Sequence, residues 1–190
     1  MHNSNEKTKL KIKLLTIPNL MSLFRICLIP FIIWFYCVEE NYALAGTILI
    51  LSGLTDIVDG FIARRFNMVS DVGKALDPVA DKLTQASTLI CLMMRFPLMI
   101  LPFVILVAKE LTTSVLVLFV IKKTKIVPMA NWHGKLATIL LYTMMILHVF
   151  WIDINLIASQ ISILICAIMI AVSFLLYVMS HLKLIKREKV

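Results

Sequence analysis

Residues 56–81 read DIVDGFIARRFNMVSDVGKALDPVAD, a cluster of charge inside a chain that is 61% hydrophobic. Aspartates stand at 56, 59, 77 and 81, with Gly60, Ala63, Arg64 and Gly73 between them. A carboxylate in hydrocarbon costs several kcal/mol unless something compensates it, so such a cluster is expected to surround cations rather than to face lipid. On a helix Asp56, Asp59, Gly60, Ala63 and Arg64 fall at i, i+3, i+4, i+7 and i+8, one continuous stripe. Asp77 and Asp81 are i and i+4 on the next helix, again on one face, with Asp77 expected as its cap and Pro78 at its first position. Two helices joined by a turn thus each present a pair of carboxylates. Ligation by aspartate oxygens suits Mg²⁺ or Mn²⁺ and argues against zinc. Asp56, Asp59, Asp77 and Asp81 together exceed what one Mg²⁺ usually takes, so two ions roughly 4 Å apart are expected, the arrangement that clamps attacking and leaving oxygens at phosphorus. Arg64 would hold a phosphate oxygen.

The string D-x2-D-G-x2-A-R-x8-G-x3-D-x3-D resembles the signature of the CDP-alcohol phosphatidyltransferases, and Asp56, Asp59, Gly60, Ala63, Arg64, Gly73, Asp77 and Asp81 occupy its fixed positions. The resemblance implies an all-α integral membrane enzyme that transfers the phosphatidyl group of CDP-diacylglycerol to an alcohol and releases CMP. It implies Asp56, Asp59 and Asp77 as metal ligands, with Asp81 beside them as the general base. Asp56, Gly60, Ala63, Arg64 and Gly73 would cradle the CDP moiety, and a homodimer is the common state. A second class of explanation is that the acids form structural ion pairs or the proton relay of a transporter. A relay spreads its acids across the bilayer. These lie near one end of two consecutive spans, which favours the enzyme.

Composition sets the rest of the frame. With 190 residues, 16% of them charged, and a mean hydropathy of +0.94, the chain lies outside the range of soluble domains. Six apolar stretches, 19–38, 42–64, 76–96, 97–121, 135–152 and 155–181, each approach the ~20 residues that span a bilayer, giving one membrane-embedded domain over 1–190. The second and third are polar where they meet in the aspartate motif, so hydropathy underrates them. Before them, residues 6–16, EKTKLKIKLLT, alternate lysine with leucine and isoleucine and read as an interfacial segment on anionic lipid. No small-residue cleavage site follows the first apolar stretch, so it is expected to be retained.

Charge fixes orientation. Of the 19 Lys and Arg, fifteen fall in the N-terminal segment, around the aspartate motif, between stretches four and five, or at the C-terminus, whereas the opposite connections carry Arg95 alone. Both termini and the motif are therefore expected on the cytoplasmic side of the cell membrane. The net charge of +8 reflects this topology and anionic headgroups, and gives no support to nucleic-acid binding. Cys27, Cys37, Cys91 and Cys166 all lie in apolar stretches without a C-x-x-C pair and are expected to be small buried hydrophobes. His148 reads as a packing residue, and His133 as a loop residue beside Trp132.

Three further cations bear on the acceptor. Pro18, Asn19 and Arg25 in TIPNLMSLFR resemble the I-P-N-x-x-T-x-x-R opening of family members that act on glycerol 3-phosphate or phosphatidylglycerol, with Ser22 in the threonine position. Arg25 would either snorkel to the surface or point into a polar cavity. Lys109 and Glu110 fall near the middle of stretch four, where adjacent positions point apart, so each is expected to need a partner elsewhere. Lys109 and Lys135, with Arg25, are the candidate acceptor-binding residues. Glycerol 3-phosphate is the acceptor the resemblance implies. This chain has Lys109-Glu110 where Arg-Glu is common, and Ala137 where a second lysine is common, so phosphatidylglycerol, a diester needing fewer cations, is the alternative.

Overall fold

The computed structural model describes residues 17–65, 71–124 and 132–187, with the backbone alone at 17–18, 59–64, 71–75, 121–124 and 182–187. The interfacial segment expected over residues 6–16 lies outside the described residues. Among these residues the regular elements are helical: α1 (Ile17–Cys37), α2 (Tyr42–Arg65), α3 (Asp71–Met93), a 3₁₀ turn (Pro97–Met99), α4 (Ile100–Thr124), α5 (Trp132–Phe150) and α6 (Leu156–Arg187).

The helices follow the six apolar stretches, with corrections at their ends. Helix α3 begins at Asp71, so Pro78 lies inside the helix and Asp77 is not its cap. Proline's fixed φ is compatible with a helix and its ring removes a single N–H from the ladder, so α3 runs through Pro78. Helix α5 begins at Trp132, which puts His133 and Lys135 in its first turn rather than in a loop. Helix α6 runs on to Arg187, past the apolar stretch that defines it.

The chain packs as two units, residues 1–87 and 88–190, and α3 continues through the division. In the first unit α1 and α2 lie against each other, joined by a tight connection. The Asn41 amide donates to the Phe35 carbonyl at 2.8 Å, and Glu40 has φ +51°, so α1 ends in a left-handed cap. Asn41 Oδ1 then accepts the Leu44 amide at 3.1 Å and caps α2. Ile29, Ile32, Tyr36, Ala45 and Leu49 are the buried apolar core of this pair.

In the second unit α6 packs against both α4 and α5. Its first turn is capped by Asn155, whose Oδ1 accepts the Ile157 amide at 2.9 Å. Buried Met99, Leu106, Leu141, Met145, Ile163 and Ile170 fill the core. Near the start of α6, His148 Nδ1 donates to the Met144 carbonyl at 2.8 Å, which leaves Nε2 to accept the Ser159 hydroxyl at 3.0 Å. This buried histidine is satisfied within the packing, as expected. Of the cysteines, Cys91 and Cys166 are buried, but Cys27 is exposed on α1, a correction: its helix turns it toward the apolar exterior with Leu23, Phe24 and Phe31.

Four segments are long and apolar enough to cross a membrane: Asn19–Cys37, Pro97–Val120, Trp132–Phe150 and Leu156–His181. Helix α2 adds a shorter apolar portion, Tyr42–Val58. Exposed Leu, Ile, Val and Phe on these helices give the protein the surface of a multi-pass membrane protein.

Candidate functional site

Three polar residues line the inward face of α1. Asn19, Ser22 and Arg25, at i, i+3 and i+6, are all buried, and the Arg25 side chain is 0% exposed. Its guanidinium reaches two other helices. Nη1 lies 2.6 Å from Asp56 Oδ1 on α2, and Nη2 donates to Asp77 Oδ1 on α3 at 3.2 Å. Arg25 does not snorkel to the surface: its side chain is buried, and its partners are the aspartates. The charge of Arg25 is thereby engaged with Asp56 and Asp77. The cause is burial: a guanidinium removed from water takes the nearest carboxylates.

Asp56 and Asp77 remain 38% and 44% exposed on their side chains. Two carboxylates from different helices thus converge on one cation while keeping access to the outside. Asp81 stands one turn beyond Asp77 on α3 and accepts Gln85 Nε2 on Oδ2 at 3.1 Å. Gln85 is fully buried, as are Ala80 and Thr84 on the same stretch of helix. Asp59, Gly60, Ala63 and Arg64 lie on the α2 backbone, and Gly73 on that of α3, with side-chain placement outside the described residues. Among the described residues no three His, Cys, Asp or Glu side chains are drawn together into a metal-binding group. The donor set nevertheless fits a hard divalent cation, since hydrated Mg²⁺ is held by one or two carboxylates and Asp56 and Asp77 already share a positive group.

A second polar cluster occupies the other unit. Lys109 on α4 is buried, with Nζ 3.4 Å from Glu110 Oε1 and 5.7 Å from the centre of the Tyr177 ring on α6. Sequence reasoning expects these neighbours to point too far apart to pair, and the structure overturns that. The two long side chains close the roughly 100° between adjacent helical positions. His133 is buried and shares a hydrogen bond between Nδ1 and Ser173 Oγ at 3.1 Å, with its ring edge-on to Tyr177 at 4.9 Å. His181 Nδ1 donates to the Tyr177 carbonyl at 2.7 Å. Gly134 lets α5 approach: a Cβ there would lie 2.7 Å from the Tyr177 hydroxyl oxygen. Lys135, the other acceptor candidate, is exposed on α5.

Gln85, Ser173, Tyr177 and His181 are the residues the sequence reading passes over. A polar side chain within an apolar helix is the signal that finds Gln85, Ser173 and Tyr177, and His181 lies where the apolar stretch gives way to the basic C-terminus.

Comparison with known proteins places these residues in a family. The sequence model described as CDP-alcohol phosphatidyltransferase matches residues 15–181. The chain is 32% identical to the CDP-diacylglycerol-glycerol-3-phosphate 3-phosphatidyltransferase of Aquifex aeolicus over 92% of this chain and 100% of that protein. A protein of the same name from Rickettsia bellii is 35% identical over 52% of this chain and 55% of its own length. The cardiolipin synthase (CMP-forming) of Streptomyces coelicolor is 36% identical over 66% of this chain and 61% of that protein.

Proposed function

The chain belongs to the CDP-alcohol phosphatidyltransferase family, and as an enzyme of that family we propose that it transfers the phosphatidyl group of CDP-diacylglycerol to glycerol 3-phosphate. The products are phosphatidylglycerophosphate and CMP. The observation that carries this acceptor is the similarity to the Aquifex protein, which extends over that protein's whole length.

In this proposal Asp56, Asp59 and Asp77, with Asp81 adjoining, hold Mg²⁺ or Mn²⁺, two ions in all. Gly60, Ala63 and Gly73 let the CDP group approach the backbone, with Asp56 and Arg64 contacting it. Bound divalent cations supply Lewis-acid neutralisation of charge on the pyrophosphate. Asp81, oriented by Gln85, accepts the proton of the acceptor hydroxyl. The acceptor oxygen bonds to the phosphorus that carries diacylglycerol as the bond from that phosphorus to the CMP oxygen breaks. Lys109 and Lys135 supply positive charge for the acceptor phosphate, with Lys109 held in place by Glu110 and the Tyr177 ring.

The whole chain forms one membrane domain, with all six helices crossing the cell membrane, the termini and aspartates facing the cytoplasm, and anionic lipid against the basic ends. A homodimer is the proposed assembly. The alternative acceptor, phosphatidylglycerol, is favoured by one observation: Ala137 is buried in α5 at the position where a second lysine would add charge.

The test is to offer purified protein CDP-diacylglycerol with glycerol 3-phosphate or phosphatidylglycerol and to identify the lipid product. CMP released with phosphatidylglycerol and not with glycerol 3-phosphate replaces this reading with the cardiolipin one. With glycerol 3-phosphate, Lys109→Met is expected to lower kcat/KM for the acceptor roughly tenfold to a thousandfold, about 1.4 to 4 kcal/mol for a charged contact in a poorly solvated site.

A further inference from the structure

One guanidinium bridging two aspartates of the motif is more than a structural ion pair needs. Arg25 is 0% exposed, and a single buried carboxylate would neutralise it. Instead it divides its fork between α2 and α3, with Nη1 toward Asp56 and Nη2 toward Asp77, and meets each through Oδ1. Nη2 donates a hydrogen bond to Asp77 and Nη1 pairs with Asp56 by charge, and because both nitrogens belong to one rigid plane, the guanidinium sets the separation of the two carboxylates in a way that a flexible ammonium does not. The same carboxylates keep more than a third of their surface exposed, so a second cation can approach them from outside while Arg25 holds them from within.

We propose that Arg25 is a resident counter-cation of the aspartate site, which positions Asp56 and Asp77 and sets how strongly they attract divalent cations. The inference rests on the reading of these aspartates as cation ligands. Two consequences follow from charge alone. With Arg25 in place, Asp56 and Asp77 together present one net negative charge to an incoming ion, and without it they present two. Removing Arg25 therefore leaves two carboxylates repelling each other, a loss of stability that a divalent ion itself can offset. The arginine keeps the pair assembled when the ion is scarce and weakens the hold on the ion when it is present, as suits cations that must also bind a departing nucleotide.

The experiment is thermal unfolding of full-length protein in detergent, in EDTA and across a Mn²⁺ titration, for wild type, Arg25→Lys and Arg25→Met. In EDTA both variants are expected to melt below wild type. Mn²⁺ is expected to raise the midpoint of Arg25→Met by more than it raises wild type, with half-saturation at a Mn²⁺ concentration roughly tenfold lower, because a positive charge beside the ion has gone. Arg25→Lys, which keeps charge and loses the fork, is expected to half-saturate within about threefold of wild type. Equal Mn²⁺-induced shifts and equal half-saturation in all three proteins overturn the inference and leave Arg25 as a plain link between helices. An Arg25→Met protein that cannot be isolated even in saturating Mn²⁺ overturns it as well, since the ion should then supply the missing charge. A wild type that shows no Mn²⁺-dependent shift removes the cation reading of the aspartates themselves.

Discussion

Gln85 donates from Nε2 to Oδ2 of Asp81 at 3.1 Å, one helical turn further along α3. Gln85 is fully buried, and its Oε1 has no hydrogen-bond partner among the described residues, so the amide is held only at the end that faces the aspartate. A buried carbonyl without a donor costs about 1 to 3 kcal/mol, which a residue present for packing alone would not need to bear. Gln85→Leu is expected to lower kcat about tenfold, the ~1.4 kcal/mol of a lost hydrogen bond to a charged group, with KM for CDP-diacylglycerol changed less than about threefold. The rate of CMP release measured against each substrate checks this. An unchanged kcat would show that Asp81 needs no help from Gln85.

Helices α5 and α6 touch at Gly134 and Tyr177, where a Cβ would sit 2.7 Å from the hydroxyl oxygen and 3.0 and 3.3 Å from ring atoms. Gly134→Ala is expected to destabilise the protein by about 1–3 kcal/mol through overpacking, read as a lower unfolding midpoint in detergent. Adding Tyr177→Phe removes the closest clash and should recover part of the loss, but not all of it, because the ring contacts remain. Full tolerance of Gly134→Ala would mean that the two helices separate there without cost.

Orientation is tested by single cysteines in a cysteine-free background. Positions Asn5 and Val190 are expected to resist a membrane-impermeant thiol reagent in intact cells, and Asn41, in the connection between α1 and α2, is expected to react. Labelling at either terminus from outside reverses the orientation and, with it, the side on which Asp56 and Asp77 meet their substrates.

Much of this molecule is legible in its sequence, and the exceptions have physical causes. Helix positions follow from apolar length because the bilayer requires it, and α4, from Ile100, and α6, from Leu156, begin close to where hydropathy puts them. Helix ends are less legible. Pro78 reads as a start signal, yet α3 begins at Asp71 and runs through it, since proline's fixed φ is compatible with a helix and one N–H is all the ladder loses. Lys109 and Glu110 pair despite their adjacency, since side-chain reach exceeds what Cβ directions suggest. Arg25 carries the largest lesson. Its position in α1 marks it as a polar residue in need of partners, but nothing in periodicity says that those partners are Asp56 and Asp77, 31 and 52 residues away. Tertiary packing makes that choice.

Whether the aspartates joined by Arg25 carry out phosphatidyl transfer is tested by comparing wild type with Asp77→Ala in the presence of Mg²⁺, CDP-diacylglycerol and glycerol 3-phosphate. CMP and phosphatidylglycerophosphate are quantified together. Wild type is expected to form the two in equal amounts, and Asp77→Ala neither at a detectable rate. If Asp77→Ala retains a tenth or more of the wild-type rate, the loss is no more than the ~1.4 kcal/mol that tenfold represents. That is too little for a carboxylate at the reacting centre, and it would contradict the assignment.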